Sequence, residues 1–352
     1  MKNKLLLTSA LAGSLVFQGL AYGQTTVSGN LDLSLKSIST GGTKTHNSSG
    51  TYVGKESQIN VANKGKLNVG GMDYAAGFSF ELDGNEGAAA GTTLQNSFNE
   101  NVYIDFISGN TTLTFGADHI QNSDRTLGTL IGLAAKDLAH GVAGSTGAIS
   151  DTSVGSDPAA TYGAGLVQKF SVGSLSGWFS PKAGGSNAGV QSETNASVDN
   201  VDNGKSAYEL GFVGDLGVKG LSTHLFYNKA TQLKSATQAV KATNIGASYN
   251  FGQLTFGANR KDVDEITAGT ETETTEYSIA YAATKDLSIG VNISSAEQNG
   301  KAEKEKVKSV AIGYNLGPVA VVAQYADVDG KAGATGSAAE ADLLWLKLST
   351  KF

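Results

Sequence analysis

The sequence predicts an all-β chain folded as a transmembrane antiparallel up-and-down β-barrel of about 16 strands. Three observations predict it. Polar and apolar side chains alternate with period two from end to end, as they do on a half-buried strand. The connections between alternating segments are long and short by turns. Beyond the N-terminus no segment has the roughly 18 apolar residues that a membrane-crossing helix needs.

The first residues stand apart from this pattern. Lys2 and Lys4 precede an apolar stretch from Leu5 to Leu20, and Ala21-Tyr22-Gly23 supplies small residues about a cleavage point. Basic, apolar and small-residue regions in that order read as a secretory signal peptide rather than a buried helix or an anchor. The expected organisation is therefore residues 1–23 as a removed signal and residues 24–352 as one barrel domain. No cysteine occurs in the chain, so rigidity after export must come from something other than disulfides. A closed, fully paired sheet supplies it.

Composition agrees. Glycine numbers 46 and proline only 3 in 352 residues, and proline is the residue that a β-ladder tolerates least. The formal charge is −6, and loss of Lys2 and Lys4 with the signal makes it −8. That balance disfavours nucleic acid and anionic membrane surfaces, both of which select basic patches. Arg125 and Arg260 are the only arginines.

Taken in order, strands are expected near 25–37, 54–62, 71–83, 99–107, 111–118, 161–169, 173–180 and 205–214. They continue near 219–229, 241–251, 253–260, 274–283, 286–295, 306–316, 318–327 and 339–352. In the first, Val27, Leu31, Leu33 and Leu35 oppose Ser28, Asn30, Asp32, Ser34 and Lys36. In the third, Phe78 and Phe80 oppose Ser79 and Glu81. Ile245, Tyr249 and Phe251 oppose Asn244, Ser248 and Asn250, while Leu344, Leu346 and Leu348 share a face of the last strand. Long connections fall near 38–53, 84–98, 119–160, 181–204, 230–240, 261–273, 296–305 and 328–338, with short turns between them. Sequential hairpins around a ring produce this, because each rim collects every second connection; short periplasmic turns and long outer loops are the outer-membrane arrangement.

Physics narrows the fold further. A sheet in lipid must satisfy its backbone groups internally, so it must close. A ring this wide leaves an aqueous channel, which suits the polar inward rows. A soluble sandwich shares the alternation but uses Greek-key crossings and less regular loops. Tyr249, Phe251, Tyr314 and Phe352 lie beside expected short turns, and Tyr208, Tyr227, Tyr277 and Tyr325 toward the loop side, as two interfacial aromatic belts would.

Four stretches carry a family resemblance. They are Thr26-Val27-Ser28-Gly29-Asn30-Leu31-Asp32; Glu56-Ser57-Gln58-Ile59-Asn60-Val61 with Ala76-Gly77-Phe78-Ser79-Phe80-Glu81-Leu82; Asn101-Val102-Tyr103-Ile104 through Ser108-Gly109-Asn110 to Leu113-Thr114-Phe115-Gly116; and the last strand ending in Phe352. Together they resemble the general bacterial outer-membrane porins, the trimeric, sixteen-stranded kind of Gram-negative bacteria. The resemblance implies a homotrimer in outer-membrane lipid and lipopolysaccharide, and recognition of Phe352 by the barrel-assembly machinery. It also implies an inward-folded third loop, matched here by residues 119–160, whose acids face basic residues on the wall. The sequence departs from the family at Gln58 and Ala117, where arginine is common. A basic wall would then draw on Lys36, Lys64, Lys169 or Arg260.

The candidate constriction residues are Asp118, Asp124, Arg125, Lys136 and Asp137. The lumen-wall candidates are Asp32, Lys36, Glu81, His224 and Arg260. Trp178 and Trp345 have inward parity. The run Asp262-Val263-Asp264-Glu265, with Glu271, Glu273 and Glu276, reads as a solvated outer loop. A lone histidine on a wall is no metal site, and neither metal nor cofactor is expected. The leading expectation is passive diffusion of small hydrophilic solutes and ions, mildly favouring cations. Alternatives are a substrate-selective channel and an adhesion or structural barrel with surface-binding loops. An enzyme is disfavoured, because the four histidines show no catalytic spacing with serines and acids.

Overall fold

The computed structural model describes residues 23–40, 50–68, 70–81, 100–116, 163–183, 205–230, 240–265, 271–330, 335–336 and 339–352. Residues 1–22 of the expected signal peptide lie outside the described residues. In chain order, β1 to β4 are Gln24–Thr40, Gly50–Lys66, Asp73–Glu81 and Glu100–Ser108. Strands β5 to β8 are Thr111–Gly116, Gly163–Phe170, Gly173–Ala183 and Lys205–Gly214. Next, β9 to β12 are Leu221–Ala230, Val240–Phe251, Leu254–Glu265 and Thr272–Ala282. The last four, β13 to β16, are Leu287–Gln298, Glu305–Asn315, Val319–Asp329 and Ala341–Lys351.

Every strand pairs antiparallel with its sequence neighbours, and β16 pairs with β1, so the sixteen strands form a closed ring. The seam is long. It runs from Asn30↔Lys351 to Thr40↔Ala341. Beyond it, Gly29 and Phe352 exchange backbone hydrogen bonds of 2.9 and 3.0 Å. The terminal residue thus completes the ladder, and no described strand has a free edge.

Side-chain direction follows the alternation read from sequence. Leu31, Leu33, Ile104, Phe115, Leu210, Ile245, Ile279, Ile312 and Leu346 turn outward and are exposed. The residues between them turn inward and are mostly polar: Thr114, Glu209, Asn228, Asn244, Asn259, Ser278, Asn292 and Gln324 are all buried. An apolar outer band and a polar inner wall are what lipid outside and water inside select. Moving each outward side chain from water into lipid contributes about 1.5–3 kcal/mol when burial is complete.

Near the long-loop rim the pattern reverses. Lys306, Lys308, Asp327 and Asp342 point outward, while Ala296, Val307, Ala326, Val328, Ala341 and Leu343 form a buried apolar cluster on the inside. Ala242 does the same against Val263. Outward charge is incompatible with hydrocarbon, so the reversal marks the height at which the strands leave the bilayer. Tyr208 and Tyr227, 6.1 Å apart, lie just below that level on β8 and β9.

The short connections occupy the opposite rim. Two-residue turns join β4 to β5 through Gly109 and β10 to β11 through Gly252, with φ of 56° and 66°. Primed hairpin turns require positive φ at the first central residue, which glycine reaches without steric cost. The ring therefore has one tight rim and one loop-bearing rim, as the connection lengths predict.

The acidic run departs from its expected place. Residues 261–265 belong to β11, with Asp262 opposite Thr243 and Asp264 opposite Lys241. Glu273 and Glu276 belong to β12. Above the bilayer both faces of a strand can carry charge, so hydrophobic alternation fades while backbone pairing continues.

Candidate pore wall

The inner wall is built from side chains that alternate with the lipid-facing ones, and several join across strands. On β9, His224 Nε2 lies 3.2 Å from Asn244 Oδ1 and 3.0 Å from Asn259 Oδ1. Two oxygen acceptors at one ring nitrogen require that nitrogen to carry the proton and donate. Asn259 Nδ2 in turn donates to Glu276 Oε2 at 3.0 Å. One polar chain thus crosses β9, β10, β11 and β12 at the level of residues whose outward neighbours are Leu225, Ile245 and Tyr277. Such a chain satisfies groups that would otherwise be costly in a low-polarity wall.

Elsewhere on the wall, Thr114 donates to Asp105 at 2.6 Å. Gln58 Nε2 donates to Ser79 Oγ, and Asn60 Nδ2 donates to Gln58 Oε1, both at 3.3 Å. The charged groups on inward rows include Asp32, Asp105, Glu209, Glu276 and Glu305 against Lys261 and Lys347. Cover is uneven around the ring. Inward residues of β8 to β14 are nearly all buried, whereas Asp32, Ser34, Gln58, Asn60, Ala62 and Gly77 on β1 to β3 are only partly so.

The sequence candidates among the described residues have definite places. Asp32 is on the inward row of β1, and His224 on that of β9. Lys36 and Glu81 fall on inward rows by backbone register, with side chains outside the described set. Arg260 does not line the lumen. It points outward from β11 and is 52% exposed, with Nε 3.1 Å from Asp262 and Nη2 2.9 Å from Glu273. Its height explains why this is tolerated: an outward arginine costs about 2–4 kcal/mol at the bilayer midplane but about 0–1 near the interface. Lys64 and Lys169 are inward at the tight rim, on β2 and β6, and Arg260 stands outside, so these three do not gather on the wall. Asp118, Asp124, Arg125, Lys136 and Asp137 lie outside the described residues. Trp178 and Trp345 both stand inward and buried.

Sequence reasoning did not single out Lys347, Glu209, Asn259 or Gln324. Period-two parity already carried their inward direction. Their partners depend on inter-strand register, which one strand's pattern does not contain.

Comparison with known proteins adds an independent line. Among solved structures, a variant of the Rhodobacter blastica porin superposes with a TM-score of 0.60 at 12% identity, covering 93% of this chain and 100% of that one. The trimer form of OmpT, an outer membrane protein of Vibrio cholerae, gives 0.58 at 14% identity, covering 94% and 99%. At such identities the likeness concerns the fold alone. No curated protein matches the chain. A family profile described as Gram-negative porin matches residues 7–333. Family and fold both point to a channel rather than an enzyme. A match over nearly the whole length, on a sixteen-stranded ring with a polar inner wall, places this chain in the Gram-negative porin family, the passive channels of the outer membrane.

Proposed function

We propose that the barrel works as a homotrimer, each subunit a water-filled passage through which small hydrophilic solutes and ions diffuse with mild preference for cations. No chemistry is required beyond a width, a lined wall and a field. The observation that carries the diffusion reading is the polar inner face of a closed ring whose outer face is apolar. The acid excess of the whole chain, with a formal charge of −6, supports the cation preference. In this reading residues 1–23 are removed on export, residues 24–352 form a single domain, and residues 119–160 fold inward and narrow the passage. Catalysis has no part in it.

Trimer formation is supported by an asymmetry of the outer wall. Outward residues of β3 to β6 include Phe78, Ile104, Phe106, Leu113, Phe115 and Leu166, with Thr111 and Gln168 polar but uncharged at the tight rim. The charged outward belt of Lys241, Asp262, Glu273, Glu297, Lys308 and Asp327 belongs to β10 to β15. The strands β3, β4 and β5 are also short, at 9, 9 and 6 residues. A short, uncharged wall suits burial against another subunit, and the charged belt suits contact with lipopolysaccharide and water. Insertion through the assembly machinery would use the strand ending in Phe352.

Liposome swelling with sugars of increasing size tests the reading. Entry rates should fall smoothly with solute size and rise linearly with concentration. Liposomes that stay impermeable to the smallest sugars would refute diffusion and favour a structural or adhesive barrel. Saturating entry of one sugar would favour a selective channel.

A further inference from the structure

At the seam of the ring, Lys347 of β16 and Asp32 of β1 meet on the inward face. Lys347 Nζ lies 2.8 Å from Asp32 Oδ2, and the two side chains are 18% and 13% exposed. Ser349 donates its hydroxyl to the other oxygen of Asp32. The ammonium also lies 5.6 Å from the centroid of the Trp345 ring, within cation–π range. The pair is therefore held from three sides while staying in contact with the lumen.

We propose that Asp32 and Lys347 cancel each other's charge on the lumen wall, so that loss of either one shifts the ion preference of the passage, a role that rests on the channel reading above. Its location carries the argument. Inward residues of β1 and β2 are the less covered part of the wall, so ions passing there meet this pair at close range. Beside it Asn30, Ser34, Gln58 and Asn60 present amides and hydroxyls, and Glu56 stands opposite Asp32 on β2 by backbone register. The amides of Gln58 and Asn60 are tied to one another and to Ser79. They offer dipoles to a passing solute and no net charge.

Opposite charges 2.8 Å apart present a dipole, whose field fades much faster with distance than that of either charge alone. With the pair intact, its own two charges largely cancel for an ion in the passage. Removing one partner leaves the other as a net charge in the passage. A unit charge about 7 Å from an ion in water changes local ion concentration about threefold. Screening extends over about 10 Å at 0.1 M salt, so the effect is read best in dilute electrolyte.

Three other ion-pair sites among the described residues lie away from the lumen. Arg260 with Asp262 and Glu273 points outward, and Lys304–Glu297 and Lys285–Asp286 lie at the rims. Their sites are bathed by bulk solvent on the outside or at the mouth.

The test is the K⁺/Cl⁻ permeability ratio, from reversal potentials of the purified protein in planar bilayers under a salt gradient. Asp32→Asn should lower the ratio about sevenfold in dilute salt, since the exposed ammonium depletes K⁺ and enriches Cl⁻ alike, and Lys347→Met should raise it by a similar factor by exposing the carboxylate. The double variant should return close to wild type. So should the swapped Asp32→Lys with Lys347→Asp, which keeps the pair and serves if a single variant fails to assemble. Unchanged ratios in both single variants, with only lowered thermal stability, would overturn the proposal and leave the pair as a tie across the seam. Shifts of the same sign in both would overturn it as well. A wild-type protein that conducts no ions would instead overturn the channel reading beneath it.

Discussion

The ring of Phe226 lies over Gly211, its direct cross-strand partner on β8, so close that a methyl group on residue 211 would fall 2.3 Å from a ring carbon. Tyr103 and Gly77 repeat the relationship between β4 and β3, at 2.7 Å. In both pairs an inward aromatic covers the gap that an inward glycine leaves, which keeps the ring flat against the wall. Gly211→Ala should destabilise the barrel by about 1–3 kcal/mol through overpacking. Loss of heat-resistant folded protein on unboiled gels would report it, and Phe226→Ala should restore part of the loss. An unaffected Gly211→Ala barrel would show that the ring is free to swing aside.

A second prediction concerns the end of the chain. Phe352 closes the seam through two backbone bonds with Gly29 and lays its ring over that glycine. Deleting Phe352 removes both bonds and uncovers the start of β1. Yield of folded protein in the outer membrane should drop severalfold, while Phe352→Tyr, which keeps backbone and ring, should retain most of it. Equal yields for deletion and wild type would contradict the role.

The proposed subunit contact can be located by fluorescence quenching. Phe115 on β5 and Ile312 on β14 both point outward, with 47% and 48% exposure in the single chain. A tryptophan at 312 should be quenched strongly by brominated lipid, and one at 115 only weakly, because a neighbouring subunit would cover it. Equal quenching would place the contact elsewhere or leave the barrel alone in the bilayer.

At the loop rim, Lys304 Nζ lies 2.5 Å from Glu297 Oε2. The hydrogen bond to Glu297, followed by the charge of that carboxylate, holds the Lys304 ammonium above its ordinary range. A raised folded-state value means the contribution is present in full below the unfolded lysine value and is lost as pH rises through the folded one. The pair is exposed, so its effect on stability is small. The clean readout is the ¹⁵Nζ titration of Lys304, which should move to lower pH in Glu297→Gln. An unmoved titration would contradict the pairing.

Much of this architecture was legible in the sequence because lipid and water sort side chains with a period that matches the strand. Leu31, Asp32, Leu33 and Ser34 announce their faces without any tertiary information. The even connection pattern then fixes sequential hairpins. Where the solvent on the outside changes from lipid to water, the signal fails. At Asp262-Val263-Asp264-Glu265 both neighbouring environments accept charge, so strand continued where polarity had suggested loop. Arg260, a lumen-wall candidate at the end of its expected strand, follows the same logic: its place one step above the Tyr277 level lets it face outward.

The site was less legible than the fold. Parity put Asp32 and His224 on the inner wall, yet the chain from His224 through Asn259 to Glu276 depends on the register of four strands. The Asp32–Lys347 pair joins residues 315 positions apart in sequence, brought together only by closure of the ring. No local pattern contains that distance. Period-two alternation describes a strand, and pairing across the seam describes the barrel.

The central claim is that a continuous column of water runs through each barrel, and single-channel conductance in planar bilayers tests it most directly. The account predicts ohmic steps whose size rises in proportion to the conductivity of the bathing salt, up to molar concentrations. Absence of steps, or a conductance that saturates at low salt, would contradict it.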